Sequence, residues 1–391
     1  MRGGARGKSR RYGISLYAML QRLIARKIPI KVNFQCLATT HFSSALSMKA
    51  RKAKEYIFTD PLGMEAYCQS HYTEYYSKSN LSCNITQLSR GELLTSSICA
   101  PINNVHLEIF KSNQTLLYEE DANQNSVAFC WLSKPNQSSP ADTIIGGHKM
   151  RDLSIAGFNR LNKIGGNTWD VVGANTILCC MSLKWEKLKK QIDQMGAYNA
   201  YAKLEECVGI DSECAASTHL KRLFDKHFKQ GVKSAEPFYD LAIALLEDSS
   251  GLNSMLTSRS DRTDLVEDLV KLLHEDRPSL PPLTINQITQ YLELEEKSLS
   301  ELCRSSFGMS ILDLIKSVRL EQVKKSYLNP HVPEGLRRFT MKQIALYYGF
   351  KNWQSFCRLY FKTFCESPEE TIDKASRNTV LISDLLRLEK K

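Results

Sequence analysis

Between residue 55 and about residue 185, apolar residues come in short runs, among them Val105-His106-Leu107-Glu108-Ile109-Phe110 and Val127-Ala128-Phe129-Cys130-Trp131-Leu132. Turn formers separate them: Asn103-Asn104, Lys134-Pro135-Asn136-Gln137, Gly146-Gly147 and Gly165-Gly166-Asn167. Short strands with this punctuation predict a β sandwich or barrel. From Trp185 the apolar period becomes helical. Leu220, Leu223, Phe224 and Phe228 recur at helical spacing, as do Leu241, Ala244 and Leu245, and again Leu265, Leu269, Leu272 and Leu273. A helical connector over 186–277 is expected, its stripes serving as core or as a dimer face. Arg277-Pro278-Ser279-Leu280-Pro281-Pro282 then predicts an extended linker, because proline fixes φ and disfavours helix in the residue before it.

Beyond the linker one pattern occurs twice. The first copy runs from Leu283-Thr284-Ile285-Asn286-Gln287-Ile288 to Phe307-Gly308-Met309-Ser310. The second runs from Phe339-Thr340-Met341-Lys342-Gln343-Ile344 through Gly349-Phe350 to Phe364-Cys365-Glu366-Ser367-Pro368. Each opens on a threonine whose hydroxyl can cap a helix by accepting from a first-turn amide. Each predicts a short amphipathic helix, a tight turn and a second helix, with Gly349 at the turn of the second copy. After that turn Phe350, Phe356, Tyr360 and Phe364 follow one helical face, which should be core. The other face offers Asn352, Trp353, Gln354, Ser355 and Arg358, side-chain types able to meet base edges or phosphates in a major groove.

These residues resemble the AraC/XylS family of bacterial transcription regulators over about residues 281–375. The Arg319-Leu320 pair falls in the expected joining helix Ile311 to Leu328. Ile344-Ala345, Gly349-Phe350, Phe364 and Glu366-Ser367-Pro368 match the family's late signature. The resemblance implies two helix-turn-helix units on a long linking helix. It also implies an N-terminal domain, often cupin-like, that senses a small molecule or dimerises, a location in the bacterial cytoplasm at the nucleoid, and RNA polymerase as a partner of an activator. Four positions depart from the family. Glu295 stands where a capping Ser is frequent, Glu301 where a basic residue is common, Cys365 where Gly is usual, and Ile311 where Pro is usual.

Charge changes the picture locally. The chain of 391 residues has a net charge of +10, yet residues 1–54 hold 13 Lys and Arg and no acid, which leaves −3 for the rest. That basic segment reads about equally as a flexible phosphate-binding arm or as sequence upstream of a start at Met48, with a transit peptide the weakest of three readings. Thr284 to Ser310 carries −2, and Leu314 to Phe364 carries +8. The second unit is therefore expected to supply most of the affinity, through Lys351, Asn352, Trp353, Gln354, Ser355, Arg358 and Lys362. The first unit would add weaker contacts through Lys297, Ser298, Ser300 and Arg304.

The remaining chemistry is sparse. Twelve cysteines are scattered without a C-x-x-C, the vicinal Cys179-Cys180 being their tightest cluster, and suit a reducing compartment. His71, His106 and His148 are isolated, so no metal ligand set is visible. Gly165-Gly166 lacks the rest of a nucleotide-binding loop. Trp131, Trp169 and Trp185 are core residues or line an apolar pocket. No catalysis, cofactor, metal or membrane span is expected. The expected organisation is an α+β chain: a basic extension 1–54, a β-rich sensing or dimerisation domain 55–185, a helical connector 186–277, an all-α double helix-turn-helix domain 278–375, and a tail 376–391. The expected function is sequence-specific regulation of transcription on double-stranded promoter DNA, with a small-molecule effector and a homodimer as further partners. The rivals are a cupin-like enzyme tethered to DNA and a nonspecific architectural binder.

Overall fold

The computed structural model describes residues 56–59, 65–69, 83–121, 125–133, 143–158, 167–252, 257–275, 283–328 and 339–373. The basic extension, the Lys134–Gln137 turn, Gly165-Gly166, the proline linker, His71, Arg337, Arg338 and the tail lie outside the described residues.

The short apolar runs form two antiparallel sheets. The larger contains β1 (Tyr56–Thr59), β2 (Glu65–Gln69), β4 (Thr95–Cys99), β5 (Val105–Ser112), β12 (Ile177–Lys184), β7 (Ser126–Leu132), β10 (Ser154–Ala156), β13 (Gly209–Asp211) and β14 (Gly251–Leu252), in that order. The smaller contains β3 (Cys83–Gln87), β6 (Leu116–Asp121), β11 (Asn167–Val172), β8 (Ile144–Ile145) and β9 (His148–Lys149), in that order. Gly146 and Gly147 join β8 to β9 with φ of 55° and 79°, the left-handed pair that a two-residue hairpin turn demands.

Period-two alternation sends successive side chains to opposite faces. Phe110, Leu178, Cys130 and Ala156 of the large sheet meet Ile85, Leu116, Tyr118, Ile145 and Val172 of the small one. The outer face of the large sheet, with Val105, Leu107, Phe129, Trp131, Cys179, Met181 and Leu183, is covered by four helices. These are α1 (Trp185–Met195), α2 (Tyr198–Glu206), α3 (Ala215–Gln230) and α4 (Glu236–Asp248). Trp131 meets Phe224 of α3 edge-on at 4.8 Å. The stretch with helical periodicity thus packs onto the sheet and adds β13 and β14 to its edge. Cys179 sits in this core, and burial pushes its thiol up to about 12.

The outer face of the small sheet is covered by the C-terminal half. Leu117, Ile144, Trp169 and Val171 share one core with α5 (Thr257–Glu275), α6 (Ile285–Tyr291), α7 (Glu296–Phe307) and α8 (Ile311–Leu328). Trp169 and Phe307 lie 5.7 Å apart, ring to ring. The layers therefore run helices, large sheet, small sheet, helices. A last core belongs to α9 (Met341–Tyr347) and α10 (Trp353–Phe364), which pack Ile344, Ala345, Phe356, Tyr360 and Phe364 on Leu320 and Val323 of α8. Among the described residues no helix is long and apolar enough to cross a membrane.

Candidate nucleic-acid interface

The duplicated sequence folds as a duplicated structure. Helices α6 and α9 each have 7 residues, and α7 and α10 each have 12. Thr284 and Thr340 each make a full capping box. Thr284 Oγ1 accepts from Gln287 N at 3.3 Å, and Gln287 Oε1 accepts from Thr284 N at 2.9 Å. The Thr340–Gln343 pair does the same at 3.3 and 2.7 Å. Both second helices end on a left-handed residue, Gly308 in the first unit and Cys365 in the second. The turns differ. Gly349 takes φ of 89° in the second unit, whereas Glu293 holds φ of 52° in the first, an uncommon state for a residue with a Cβ.

Aligning the two longer helices by their caps places Glu295 with Asn352, Lys297 with Gln354, Ser298 with Ser355, Leu299 with Phe356, and Glu301 with Arg358. Leu299, Leu302, Cys303 and Phe307 turn α7 inward; Phe356, Tyr360, Thr363 and Phe364 do so for α10. The outward face of α10 exposes Gln354, Ser355, Arg358 and Lys362, with Lys351 and Asn352 exposed in the turn before it. That of α7 exposes Lys297, Ser298, Glu301 and Arg304, while Ser300 is half-buried.

Two residues of the second set have structural tasks as well. Asn352 Oδ1 accepts from Ser355 N at 2.9 Å and so caps α10. Its amide nitrogen is the part of that side chain left to meet a base. Trp353 is half-buried and stacks on Phe356 at 5.3 Å. Glu295 makes no capping bond at the matching position of α7.

Of the basic residues between Leu314 and Phe364, several face inward. Lys324 is buried, pairs with Glu366 at 3.1 Å and lies 4.2 Å over the Phe364 ring. Lys325 Nζ donates to Asn84 Oδ1 at 2.9 Å, and Arg319 donates to the Leu283 carbonyl at 3.3 Å. Lys316, Lys342, Lys351, Arg358 and Lys362 are exposed.

Lys324 and Lys325 belong to a polar seam between the small sheet and the helices, which sequence reasoning missed. Gly91 N donates to Thr363 O at 3.0 Å, and Gln87 Nε2 reaches the same carbonyl at 2.9 Å. Gln87 N donates to Glu321 Oε1 at 3.4 Å. His274 of α5 lies 3.0 Å from Thr86 Oγ1 and 2.8 Å from Glu119 Oε2. Burial raises the Glu321 carboxyl to about 7, against the pull of Lys324 and Lys325. Glu366, noted in the sequence only as the acid of a signature, accepts from Thr371 Oγ1 at 2.8 Å besides pairing with Lys324.

Two capped helix pairs hung on one linking helix, each turning a polar face outward from an apolar core, define a helix-turn-helix DNA-binding protein. The family model described as "Helix-turn-helix domain" matches residues 288–374. Those residues are an AraC-type helix-turn-helix domain, and the match reaches both helix pairs. No curated protein matches the chain significantly. Among solved structures, the AraC-like transcriptional activator CuxR is 11% identical with a TM-score of 0.33, the match covering 70% of this chain and 96% of that one. ToxT from Vibrio cholerae is 14% identical with a TM-score of 0.26, covering 75% of this chain and 97% of that one. Wild-type ToxT from the same organism, with an unsaturated fatty acid bound, is 14% identical with a TM-score of 0.22, covering 75% and 94%. TM-scores this low leave the assignment to the family match and the repeated geometry.

Proposed function

We infer that the chain is a sequence-specific transcription regulator that reads double-stranded promoter DNA through α10, with α7 as a weaker second reader. The observation that carries this is the exposed set Gln354, Ser355, Arg358 and Lys362 on a helix whose opposite face is locked by Phe356, Tyr360 and Phe364. Lys351, Lys362, Lys297 and Arg304 supply phosphate contacts that set register. Arg358, Gln354 and the Asn352 amide choose bases, with Ser298, Ser300 and Ser355 adding polar contacts at the helix starts. Trp353 contributes by holding the start of α10 against Phe356.

The two-sheet domain is the input side. It touches α10 at Thr363 and α8 at Glu321, so a signal taken up there reaches the second unit and the linking helix through direct bonds. Domain limits at about residues 54, 185 and 277, a cytoplasmic location, a homodimer and contact with RNA polymerase complete the proposed picture.

The test is selection of bound duplexes from a random library by the full chain. Enrichment of one motif supports specific reading. Retention of DNA without any enriched motif, with binding that falls steeply with salt, supports an architectural binder instead.

A further inference from the structure

The sequence shows His106 alone, yet the sheet gives it company. Strands β4 and β5 are antiparallel neighbours, and their register sets Cys99 directly opposite Glu108. His106 precedes Glu108 by two positions on β5, so both project from the same face, as does Cys99. One ligand atom from each of Cys99, His106 and Glu108 lies within 4.8 Å of the others. Metal bonds of about 2.0–2.3 Å place tetrahedral ligand atoms roughly 3.3–3.8 Å apart, so small rotamer adjustments close the set.

The surroundings suit a metal centre. Ser97 Oγ donates to Glu108 Oε1 at 2.6 Å and stands 3.5 Å from Cys99 Sγ. Such an outer partner orients the carboxylate and restrains the thiol. All four residues lie on two paired strands, which limits the entropy lost when the ligands are fixed. Cys99 is only 9% exposed, while His106 is exposed and Glu108 half-buried, so the cluster has one wet side for entry.

We propose that Cys99, His106 and Glu108 form a binding site for a divalent transition metal ion of the zinc class. A thiolate beside an imidazole and a carboxylate selects a borderline ion and disfavours Mg²⁺ and Ca²⁺, which take oxygen ligands. Three protein ligands leave a fourth position for water or an exchangeable small ligand. Binding releases the thiol proton, so affinity falls as pH is lowered. The site does not depend on the DNA-reading assignment.

The experiment is a Co²⁺ titration of the reduced full chain, followed by displacement with Zn²⁺. One Co²⁺ per chain is expected, with a thiolate-to-cobalt charge-transfer band that Zn²⁺ removes. Cys99→Ser should abolish the band. His106→Gln, a change at an exposed position, should weaken binding by at least about tenfold, and Ser97→Ala by about tenfold. Circular dichroism melts without metal show that each variant is folded, and His106→Gln decides the matter if Cys99→Ser is not. A second thiol pair lies on the same face, Cys130 and Cys180, with sulfurs 3.3 Å apart. A band that persists in Cys99→Ser and His106→Gln places the ion there and overturns the proposal. So does the absence of any band, or a band lost in Cys99→Ser but bound equally well by His106→Gln.

Discussion

Single residues set the two helix-turn-helix units apart. Glu301 and Arg358 occupy the same position on α7 and α10, both exposed. A carboxylate facing phosphates is repelled, whereas a guanidinium is attracted and can pair with guanine. Glu301→Arg should therefore tighten binding several-fold in a gel-shift titration at moderate salt; weaker binding would mean that Glu301 reads a base or holds α7 in place. Cys365 carries φ of 56°, a left-handed state that costs an L-residue about 1–2 kcal/mol. Cys365→Gly should stabilise the chain by about 1 kcal/mol in urea unfolding, with no change in DNA affinity. The threonine caps were legible in the sequence because Thr-x-x-Gln is a local pattern. The fate of Lys324 was not: its charge counts as basic along the chain, and folding spends it on Glu366. The Cys99–His106–Glu108 grouping was equally hidden, because the register of two strands creates it, and spacing along one strand says nothing of it.

Among the elements, α8 does the most. It links the two units, packs Leu314, Ile315 and Val318 into the core beneath the small sheet, and offers Leu320 and Val323 to α9 and α10. Its buried residues are spread around its circumference rather than gathered in one stripe, as fits a helix covered on several sides. Glu321 on this helix is buried against Gln87, with Lys324, Lys325 and Glu366 around it. In an unfolded chain a Glu titrates near about 4.3, and here burial lifts it to about 7. Between those values the folded state holds one more proton, so stability falls as pH rises through that window and levels off above it. Glu321→Gln should remove this slope. In thermal melts it should match the wild type near pH 4 and melt higher at pH 8; a lower melting temperature at pH 8 would show that the carboxylate is needed there. Helices α3, α4 and α5 were legible from their apolar period. Strands β13 and β14 were not, being three and two residues long, too short for any alternation to appear.

Across the whole molecule, four layers place the first helix-turn-helix unit and the linking helix against the far face of a sandwich. The apolar pattern of strands and helices carried the class of fold, since each half has its own period. What it could not carry was the order of the layers or the polar seam, because Gln87 and Thr363 lie 276 positions apart and meet only through tertiary packing. That seam ties the two-sheet region directly to the end of α10. The central claim, however, is that α10 chooses sequence. The most direct test is an anisotropy titration of the full chain and of Arg358→Ala on the duplex enriched by selection and on a scrambled duplex of equal length. Arg358 is exposed, so its removal should leave the fold intact. The expected result is a loss of about 1–3 kcal/mol on the enriched duplex, with a much smaller loss on the scrambled one. Equal losses on both duplexes would make Arg358 a phosphate contact, and no loss on either would contradict its role as the leading base contact of α10.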